Sequence, residues 1–416
     1  MRYLTLLLVL LWTTASRASL AWTPADSTPA PTGRSAIGQV GRYVYLFGGG
    51  PDGTAAYAYD CSTGHWVPST PHPLGARFNW TGVVAQGRVY VLGGSDSLYP
   101  QSDMYAFLPD SEGNGTWIRQ ASLPRPLALL GAAALGDSLI ITAGGLTYLG
   151  YATSQCFCYH IAQDWWDTLP FPALPQARIA GGLVAQGEKL YYLGGLDSVS
   201  QSYTNTIFEY DPVANQWQTR RTLLAPIAFN HQSIASDGRF IYLVGGGAGV
   251  SLWPGSPLVQ AWDPANDSLC WETPLPETVG LQSTCFATYA GGAYLLTTGG
   301  FQDSLYVSAT YRALLPVGVE QKDVWSRGEP DIRLTVSPNP VRTQATISLS
   351  FPSTLPPPPF TLSLYDLTGR LIRRLPPHML QWDGRDASGR PVRNGVYVLR
   401  CESGSFRLMR TLVVLH

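Results

Sequence analysis

Short apolar runs that end in paired glycines recur six times along the chain. The first run is YVYLFGGG, and the later ones are RVYVLGG, SLIITAGG, KLYYLGG, FIYLVGGG and AYLLTTGG. The pairs are Gly48 and Gly49, Gly93 and Gly94, Gly144 and Gly145, Gly194 and Gly195, Gly245 and Gly246, and Gly299 and Gly300, at intervals of 45, 51, 50, 51 and 54 residues. A supersecondary unit repeated every 40–50 residues or so predicts a propeller or a solenoid rather than one irregular core.

Each unit is predicted to contain four short strands. A small-residue stretch such as IAGGLVAQG leads through a tight turn into the strand that ends in the glycine pair. A polar loop, a third strand, a turn of the Asp-Pro type and a tryptophan follow. The tryptophans at that place are Trp66, Trp117, Trp166, Trp217 and Trp271. One such sheet cannot bury both of its faces, but sheets packed face to face around a ring can. We expect the glycine pairs where the ring narrows, since a side chain there would collide with the next sheet.

The order Gly-Gly, Tyr-Asp-Pro and Trp resembles the kelch repeat, and the resemblance covers about Trp22 to Leu315. The sixth unit supplies a third strand in SLYVSATYRAL but reaches no tryptophan, whereas AWTP, with Trp22, has the form of the missing closing strand. The resemblance therefore implies an all-β fold with a six-bladed propeller over residues 22–315. In this fold the N-terminal strand completes the last blade and removes an exposed sheet edge.

The first 21 residues have the pattern of a secretory signal peptide. Arg2 precedes the apolar run Leu4 to Leu11, and small residues follow as candidate cleavage sites. No later stretch reaches the roughly 18 uninterrupted apolar residues that a spanning helix needs. Charged residues make up only 13% of the chain, while the 43 glycines and 33 prolines favour turn-dense β structure. We expect an exported, monomeric protein without a transmembrane span, either secreted or on the outer-membrane surface of a Gram-negative-type bacterium.

A second domain is predicted at residues 332–416, after a linker at 316–331. Eleven arginines against four acidic residues give this segment a net charge of +7, which leaves −8 for the rest of a chain whose total is −1. Its short alternating segments indicate a small β-sandwich. The motifs SPNP, LYDLTGR, WDGRD and GVY, beginning at Ser337, Leu364, Trp382 and Gly395, resemble the immunoglobulin-like sorting domain of type IX secretion. The resemblance implies the secretion machinery as a partner. The scattered arginines and the lack of a stacking platform argue against nucleic-acid binding.

Six cysteines in an exported chain permit disulfides, but their positions do not fix a pairing. Cys156 and Cys158 flank one residue of a predicted strand, which is not the spacing of a zinc motif. Cys270 and Cys285 are candidates for neighbouring strands of one blade. We expect no metal and no cofactor.

Ligands of a propeller usually contact the loops at one mouth of the central channel. Counting sixteen residues back from the glycine pairs places Arg77 and Arg178 at this mouth, with Arg34 nearby in the first unit. These arginines suit a carboxylate or a sulfate, or else bond to an adjacent blade. The other candidates are Asn79, Trp80, Asn230 and His231, with Trp80 either stacking on a sugar or packing between blades. Asp52, Asp96, Asp197 and Asp303 follow the glycine pairs, where turn formation accounts for most of them.

Two functions from different classes fit these features. The first is a binding protein that presents a glycan- or protein-binding mouth and is exported through its C-terminal domain. The second is a carbohydrate-active enzyme similar to the sialic-acid mutarotases, with arginines for the substrate carboxylate and an acid such as Glu277 for proton transfer. No nucleophile and base pair, phosphate loop or HExxH motif occurs in the sequence. The sequence therefore favours the non-enzymatic binding protein.

Overall fold

The computed structural model describes residues 19–167, 171–247, 255–303, 305–315, 333–337, 341, 343–350, 360–366, 371–376, 381–393, 395–403 and 407–414. The predicted linker and all but the last residues of the predicted signal peptide lie outside these ranges. The chain divides into two compact units, Met1–Trp325 and Ser326–His416. The described residues form strands, turns and loops, and no helix among them is long and apolar enough to cross a bilayer.

Six four-stranded antiparallel sheets form the described part of the first unit, and we call them blades 1 to 6. Their strands, from innermost to outermost, are Ala36–Val40, Tyr43–Phe47, Ala56–Asp60 and His65–Pro68 in blade 1, and Thr81–Ala85, Arg88–Leu92, Met104–Pro109 and Gly115–Arg119 in blade 2. Blade 3 has Gly131–Leu135, Leu139–Ala143, Cys156–His160 and Trp165–Trp166, and blade 4 has Gly182–Gln186, Lys189–Leu193, Thr206–Asp211 and Gln216–Thr222. Blade 5 has Ile234–Ser236, Ile241–Val244, Val259–Asp263 and Ser268–Glu272, and blade 6 has Ser283–Tyr289, Gly292–Thr298, Thr310–Leu314 and Trp22–Ala25.

The blades close into a ring, because each innermost strand contacts the innermost strands of the two neighbouring blades and blade 6 contacts blade 1. The second strand of each blade is buried along almost its whole length. This burial explains why the glycine-ending runs are continuously apolar rather than alternating. The core is divided into clusters that lie between successive blades, as a ring of stacked sheets requires.

The N-terminal strand closes the last blade, as predicted. Trp22–Ala25 pairs antiparallel with Thr310–Leu314, with Trp22 opposite Ala313. The Trp22 indole N–H donates to the carbonyl of Thr273, in the segment that follows blade 5. The repeat tryptophans of blades 2, 3 and 4 make the same bond, because Trp117, Trp166 and Trp217 donate to the carbonyls of Thr70, Ala121 and Pro172, each just beyond the preceding blade.

Trp271 does not occupy the repeat tryptophan position that the sequence suggested. In blades 1, 3 and 4 the tryptophan lies opposite a tyrosine of the third strand, as Trp217 lies opposite Tyr210. In blade 5 the residue opposite the equivalent Trp262 is Leu269, which packs into the core, whereas Trp271 lies two residues further on and is 47% exposed. Leu269 therefore replaces the repeat tryptophan, and Trp271 is a surface residue.

The glycine pairs meet the neighbouring blade at very short range. Gly48 has a φ of +66°, and a Cβ on it would lie 2.6 Å from the ring of Trp80. Gly93 has the same φ, and a Cβ there would lie 2.5 Å from the carbonyl oxygen of Leu127. Both the left-handed backbone and the lack of space require glycine at these positions.

The described part of the second unit contains two antiparallel sheets. One consists of Arg333–Ser337, Ala345–Ser350 and Gln381–Trp382, and the other consists of Leu371–Leu375, Phe360–Asp366, Gly395–Ser403 and Arg407–Val414 in that spatial order. Buried side chains from both sheets share one core, among them Ile347, Trp382, Leu364 and Leu399. The Tyr397 hydroxyl donates to the carbonyl of Arg393, four residues upstream.

None of the six cysteines forms a disulfide. Cys270 lies on the outermost strand of blade 5, and Cys285 lies on the innermost strand of blade 6. The two residues therefore belong to different blades, and their expected placement on neighbouring strands of one blade is wrong. The segment that follows Cys270 leads out of blade 5 and into blade 6. The spacing of the two cysteines in the sequence does not show this change of blade.

Candidate functional site

One face of the propeller carries the segments that lead into the innermost strands together with the loops that follow the glycine pairs. We call these the lead-in segments and the glycine loops. Short bridges join the two sets, for example Phe78 with Ser95 in blade 2 and Ile179 with Leu196 in blade 4. The glycine loops of blades 4 and 6 fold back as two-stranded ribbons, Leu196–Asp197 with Ser202–Tyr203 and Phe301–Gln302 with Leu305–Tyr306. This face is therefore a continuous mouth held by backbone hydrogen bonds.

A ring of left-handed residues surrounds the channel at this mouth, and we call it the collar. Its members have φ between +53° and +61°, and they are Arg34, Asn79, Leu129, Ala180, Phe229 and Leu281. Backbone hydrogen bonds run from blade to blade around the collar, with Arg34 N–H donating to Leu281, Asn79 to Arg34, Leu129 to Asn79, and Ala180 to Leu129. Left-handed non-glycine residues cost energy, and they persist where surrounding contacts hold them in place.

A cleft of about 430 Å³ opens at the collar between the loops of blades 1, 2, 3 and 6. Arg34, Asn79 and Leu129 of the collar line it, together with Asp96 and Leu98 from the glycine loop of blade 2. The Arg34 guanidinium lies 5.9 Å from the ring centre of Phe78, which also lines the cleft. Two of the candidates from the sequence, Arg34 and Asn79, thus line the same cleft.

Arg77 and Arg178 occupy equivalent positions, but both are engaged within the protein. Arg77 forms an ion pair with Asp103 at 2.9 Å, and Arg178, which is 2% exposed, lies 3.6 Å from Asp197. Arg34 is itself a collar residue, whereas Arg77 and Arg178 each lie two residues before one, Asn79 and Ala180. The fixed count of sixteen residues stops two residues before the collar, which lies fourteen residues before the glycine pair in blades 1, 2 and 4.

Trp80 and Asn230 reach from their lead-in segments to the strand end of the preceding blade. The Trp80 indole N–H donates to the carbonyl of Phe47 at 2.8 Å, and the Asn230 amide donates to the carbonyl of Leu193 at 3.2 Å. Gln282 makes the same bond to Val244 at 2.7 Å. Each accepting carbonyl immediately precedes a glycine pair. These side chains therefore connect neighbouring blades, and the face of the fully buried Trp80 ring is not open to a ligand.

His231 is buried below the mouth, and neither of its ring nitrogens has a hydrogen-bond partner among the described residues. Burial lowers the pKa of His231 to about 4, so the ring is neutral at pH 7. The adjacent Gln232 crosses the channel, and its Oε1 accepts from the backbone N–H groups of Ile37 and Gly82, in blades 1 and 2. A polar side chain from the lead-in segment of blade 5 thus ties the innermost strands of blades 1 and 2 together beneath the collar.

The aspartates of the glycine loops shape the loops themselves. Asp96 accepts hydrogen bonds from the backbone of Leu98 and Tyr99 at 2.7 Å, and Asp197 accepts one from Val199 at 2.9 Å. The bond from Tyr99, followed by the one from Leu98, lowers the pKa of Asp96, and the bond from Val199 lowers that of Asp197. The Asp52 carboxylate accepts a hydrogen bond from the backbone N–H of Thr54, which closes a similar turn.

The sequence reasoning missed the apolar rim of the mouth. Large apolar side chains project from the glycine loops of blades 2, 3, 4 and 6, and together they form what we call the apolar rim: Leu98, Tyr99, Tyr148, Leu149, Tyr151, Val199 and Leu305. The rings of Tyr99 and Tyr148 stack with their centres 4.9 Å apart, which joins the loops of blades 2 and 3. The signal was present as SLYP and TYLGY directly after two glycine pairs.

Similarity to known proteins agrees with this architecture. A family model described as Kelch motif matches residues 177–223, which run from the lead-in segment of blade 4 through its outermost strand. Kelch-like protein terF of Aspergillus terreus is 29% identical over 235 residues, covering 52% of this chain and 49% of that protein. Kelch-like protein 15 of Danio rerio is 22% identical over 218 residues, covering 48% and 35%. The chain spans about half or less of the length of these relatives.

Two further matches cover a larger share of the protein that is matched. The N-(sulfonatooxy)prop-2-enimidothioate sulfolyase of Thlaspi arvense is 25% identical over 318 residues, covering 65% of this chain and 89% of that protein. The solved structure titled "Structure of YjhT" superposes with a TM-score of 0.56 at 14% identity, covering 69% of this chain and 96% of that chain. At this identity the structural match supports the fold alone.

Proposed function

We propose that this six-bladed propeller of kelch repeats is a protein-binding scaffold whose partner docks on the mouth formed by the collar and the apolar rim. The observation that carries the proposal is the concentration of exposed Leu, Val and Tyr side chains on the glycine loops of four blades. Contiguous exposed apolar surface marks interaction sites on soluble proteins, and aromatic residues are enriched in the centres of such interfaces.

The chemistry of the mouth favours a polypeptide over a sugar. Leu98, Leu149 and Val199 are each at least 75% exposed and offer aliphatic contacts that a sugar ring does not require. The cleft beside them is lined by Arg34, Asn79 and Asp96, which offer polar contacts. An apolar loop of a partner protein that inserts a polar side chain into the cleft would satisfy both features.

The mutarotase-like alternative is not favoured. It requires arginines that are available to a substrate carboxylate, whereas Arg77 and Arg178 pair with Asp103 and Asp197. Glu277, the acid suggested for proton transfer, accepts a hydrogen bond from the Tyr311 hydroxyl at 2.8 Å and does not line the cleft.

Removal of the stacked tyrosines should weaken partner binding strongly without unfolding the propeller. We expect peptides selected from a displayed random library on the full chain to bind a Tyr99→Ala/Tyr148→Ala variant at least 30-fold more weakly, since a buried interface tyrosine contributes about 2 kcal/mol or more. The measurement is the dissociation constant by calorimetry, with circular dichroism to verify folding.

Tyr289→Ala is the matched control, because Tyr289 is a comparably exposed tyrosine at the turn between the first and second strands of blade 6, at the opposite end of these strands from the glycine pair. Equal binding by the wild type and the mouth variant would contradict the proposal, as would equal losses in the mouth variant and the control. A glycan array run in parallel separates the ligand classes, because binding to glycans without binding to peptides would overturn the choice of a protein partner.

We also propose that residues 1–21 direct export and that residues 332–416 form an immunoglobulin-like sorting domain. Support comes from the motifs at Ser337, Leu364, Trp382 and Gly395 and from the bond between Tyr397 and Arg393, which resembles the tyrosine corner of immunoglobulin-type sandwiches.

Deletion of residues 332–416 should retain the propeller in the periplasm of a bacterium that has type IX secretion machinery, whereas the full chain should reach the cell surface. Cell fractionation and surface labelling measure the difference. The same distribution for both chains would exclude a sorting role for this domain, and retention of both in the cytoplasm would exclude the signal peptide.

A further inference from the structure

A cysteine, a histidine and an aspartate meet in the outer hairpin of blade 3, and none of them lines the mouth cleft. Cys158 and His160 lie two residues apart on the third strand, so their side chains project from the same face. Asp167 directly follows the outermost strand, and its backbone N–H donates to the carbonyl of Cys158 at 2.9 Å. The hairpin thus fixes the three residues side by side.

The three side chains offer one ligand atom each within a small volume. The Cys158 sulfur, a ring nitrogen of His160 and a carboxylate oxygen of Asp167 all lie within 4.8 Å of one another. His160 Nε2 and Asp167 Oδ1 lie 3.1 Å apart. The His160 ring lies parallel to that of Trp165, with centres 4.9 Å apart and 7° between the planes, which holds the imidazole in place.

We propose that Cys158, His160 and Asp167 bind a zinc ion. Thiolate, imidazole and carboxylate are the ligand types that Zn²⁺ accepts, and zinc sites with three protein ligands keep the fourth position for water. Tetrahedral ligands at 2.0–2.3 Å from the metal are roughly 3.3–3.7 Å apart. The His160 and Asp167 atoms, 3.1 Å apart, need to separate by only about 0.2 Å, and the sulfur needs to approach by about 1 Å at most. Coordination replaces the thiol proton of Cys158, which passes to solvent.

The surroundings of the trio are those of a site that an ion can enter from one side. Cys158 is buried, while the side chains of His160 and Asp167 are 30% and 34% exposed. Cys158 belongs to the buried cluster between blades 3 and 4, together with Leu190 and Tyr210. The other two ligands face solvent, so the fourth coordination position is expected on the outside of the ring.

Cobalt substitution tests the proposal directly, because a thiolate bound to Co²⁺ gives a charge-transfer absorption that nitrogen and oxygen ligands do not give. We expect the full chain, purified without a histidine tag under reducing conditions, to bind one Co²⁺ with this absorption and to release it to Zn²⁺. Cys158→Ser should abolish the charge-transfer band. His160→Gln and Asp167→Asn should retain a weaker band with at least tenfold lower affinity.

Cys156→Ser is the matched control, since Cys156 is buried on the same strand and face but is not part of the trio. This variant should bind the metal like the wild type, and circular dichroism shows whether each variant is folded. A wild-type chain without the charge-transfer band overturns the proposal. So does a band that persists in Cys158→Ser, because the sulfur ligand would then be another cysteine.

Discussion

Gly48→Ala should destabilise the propeller by about 2–4 kcal/mol. Two costs add at this position: an alanine at a φ of +66° is strained by roughly 1–2 kcal/mol, and the new methyl group would lie 2.6 Å from the Trp80 ring. Trp80→Ala should cost about 3–5 kcal/mol, since it empties a fully buried site between blades 1 and 2 and removes the hydrogen bond to Phe47. Denaturant unfolding followed by circular dichroism measures both losses in the full chain.

The two changes should not be additive, because the alanine at position 48 fits once the indole ring is gone. We expect the double variant to lose at least 1 kcal/mol less than the sum of the single losses. Gly41→Ala is the matched control, with a similar φ of +59° but no atom within 4 Å of the added methyl group. It should show the backbone cost alone. Additive losses in the double variant would mean that the contact between Gly48 and Trp80 does not hold the two blades at their spacing.

Acid should weaken the propeller through His231 well before most carboxylates are protonated. The unfolded chain binds a proton at His231 near pH 6.5, but burial lowers the pKa in the fold to about 4. Between these values the unfolded state binds more protons, so stability falls as the pH falls, by about 3 kcal/mol when pH 4 is reached. Urea unfolding of the full chain at pH 7.0, 6.0, 5.0 and 4.5 measures the slope.

His231→Leu should remove most of this slope. The variant should match the wild type within about 1 kcal/mol at pH 7, since a neutral ring without hydrogen-bond partners among the described residues is exchanged for an apolar side chain of similar size. At pH 4.5 it should be more stable than the wild type by about 2 kcal/mol or more. Burial also lowers the pKa of His72, so a smaller slope should remain. Parallel pH profiles for both proteins would show that His231 is not the group that titrates.

The spacing of the glycine pairs together with the kelch-like order of Gly-Gly, Tyr-Asp-Pro and Trp was sufficient to predict the propeller, because each pair marks the place where a strand ends and two blades approach. The N-terminal closure also followed from the sequence, since AWTP, with Trp22, has the form of the closing strand that the sixth unit lacks. Trp271 was assigned wrongly because the sequence offers a tryptophan two residues beyond the position that faces the core, and Leu269 fills that position. Side-chain type alone does not reveal this offset.

The candidate site was predicted only in part. Arg34 and Asn79 lie at the cleft, but Arg77 forms an ion pair with Asp103 and Arg178 is almost completely buried. Counting residues along the chain reveals neither the ion pair nor the burial. The collar is a backbone feature of residues as different as Arg34 and Leu281, so composition gives no sign of it. The residues of the apolar rim are visible in the sequence as Leu, Val and Tyr in the segments that follow the glycine pairs. Our proposal that this rim binds a partner depends on the placement of four loops on one face, which the sequence alone does not show.

The closure of blade 6 by the N-terminal strand also sets the order in which the propeller can fold. Thr23 and Arg312, joined by a hydrogen bond, are separated by 289 positions, so the last blade cannot form until almost the whole propeller sequence has emerged. Five blades can assemble from contacts close in sequence, while this long-range pairing must overcome the entropy of the largest loop. The newly made chain should therefore pass through an open arc in which Thr310–Leu314 is an unpaired sheet edge, and folding should end when Trp22–Ala25 pairs with it.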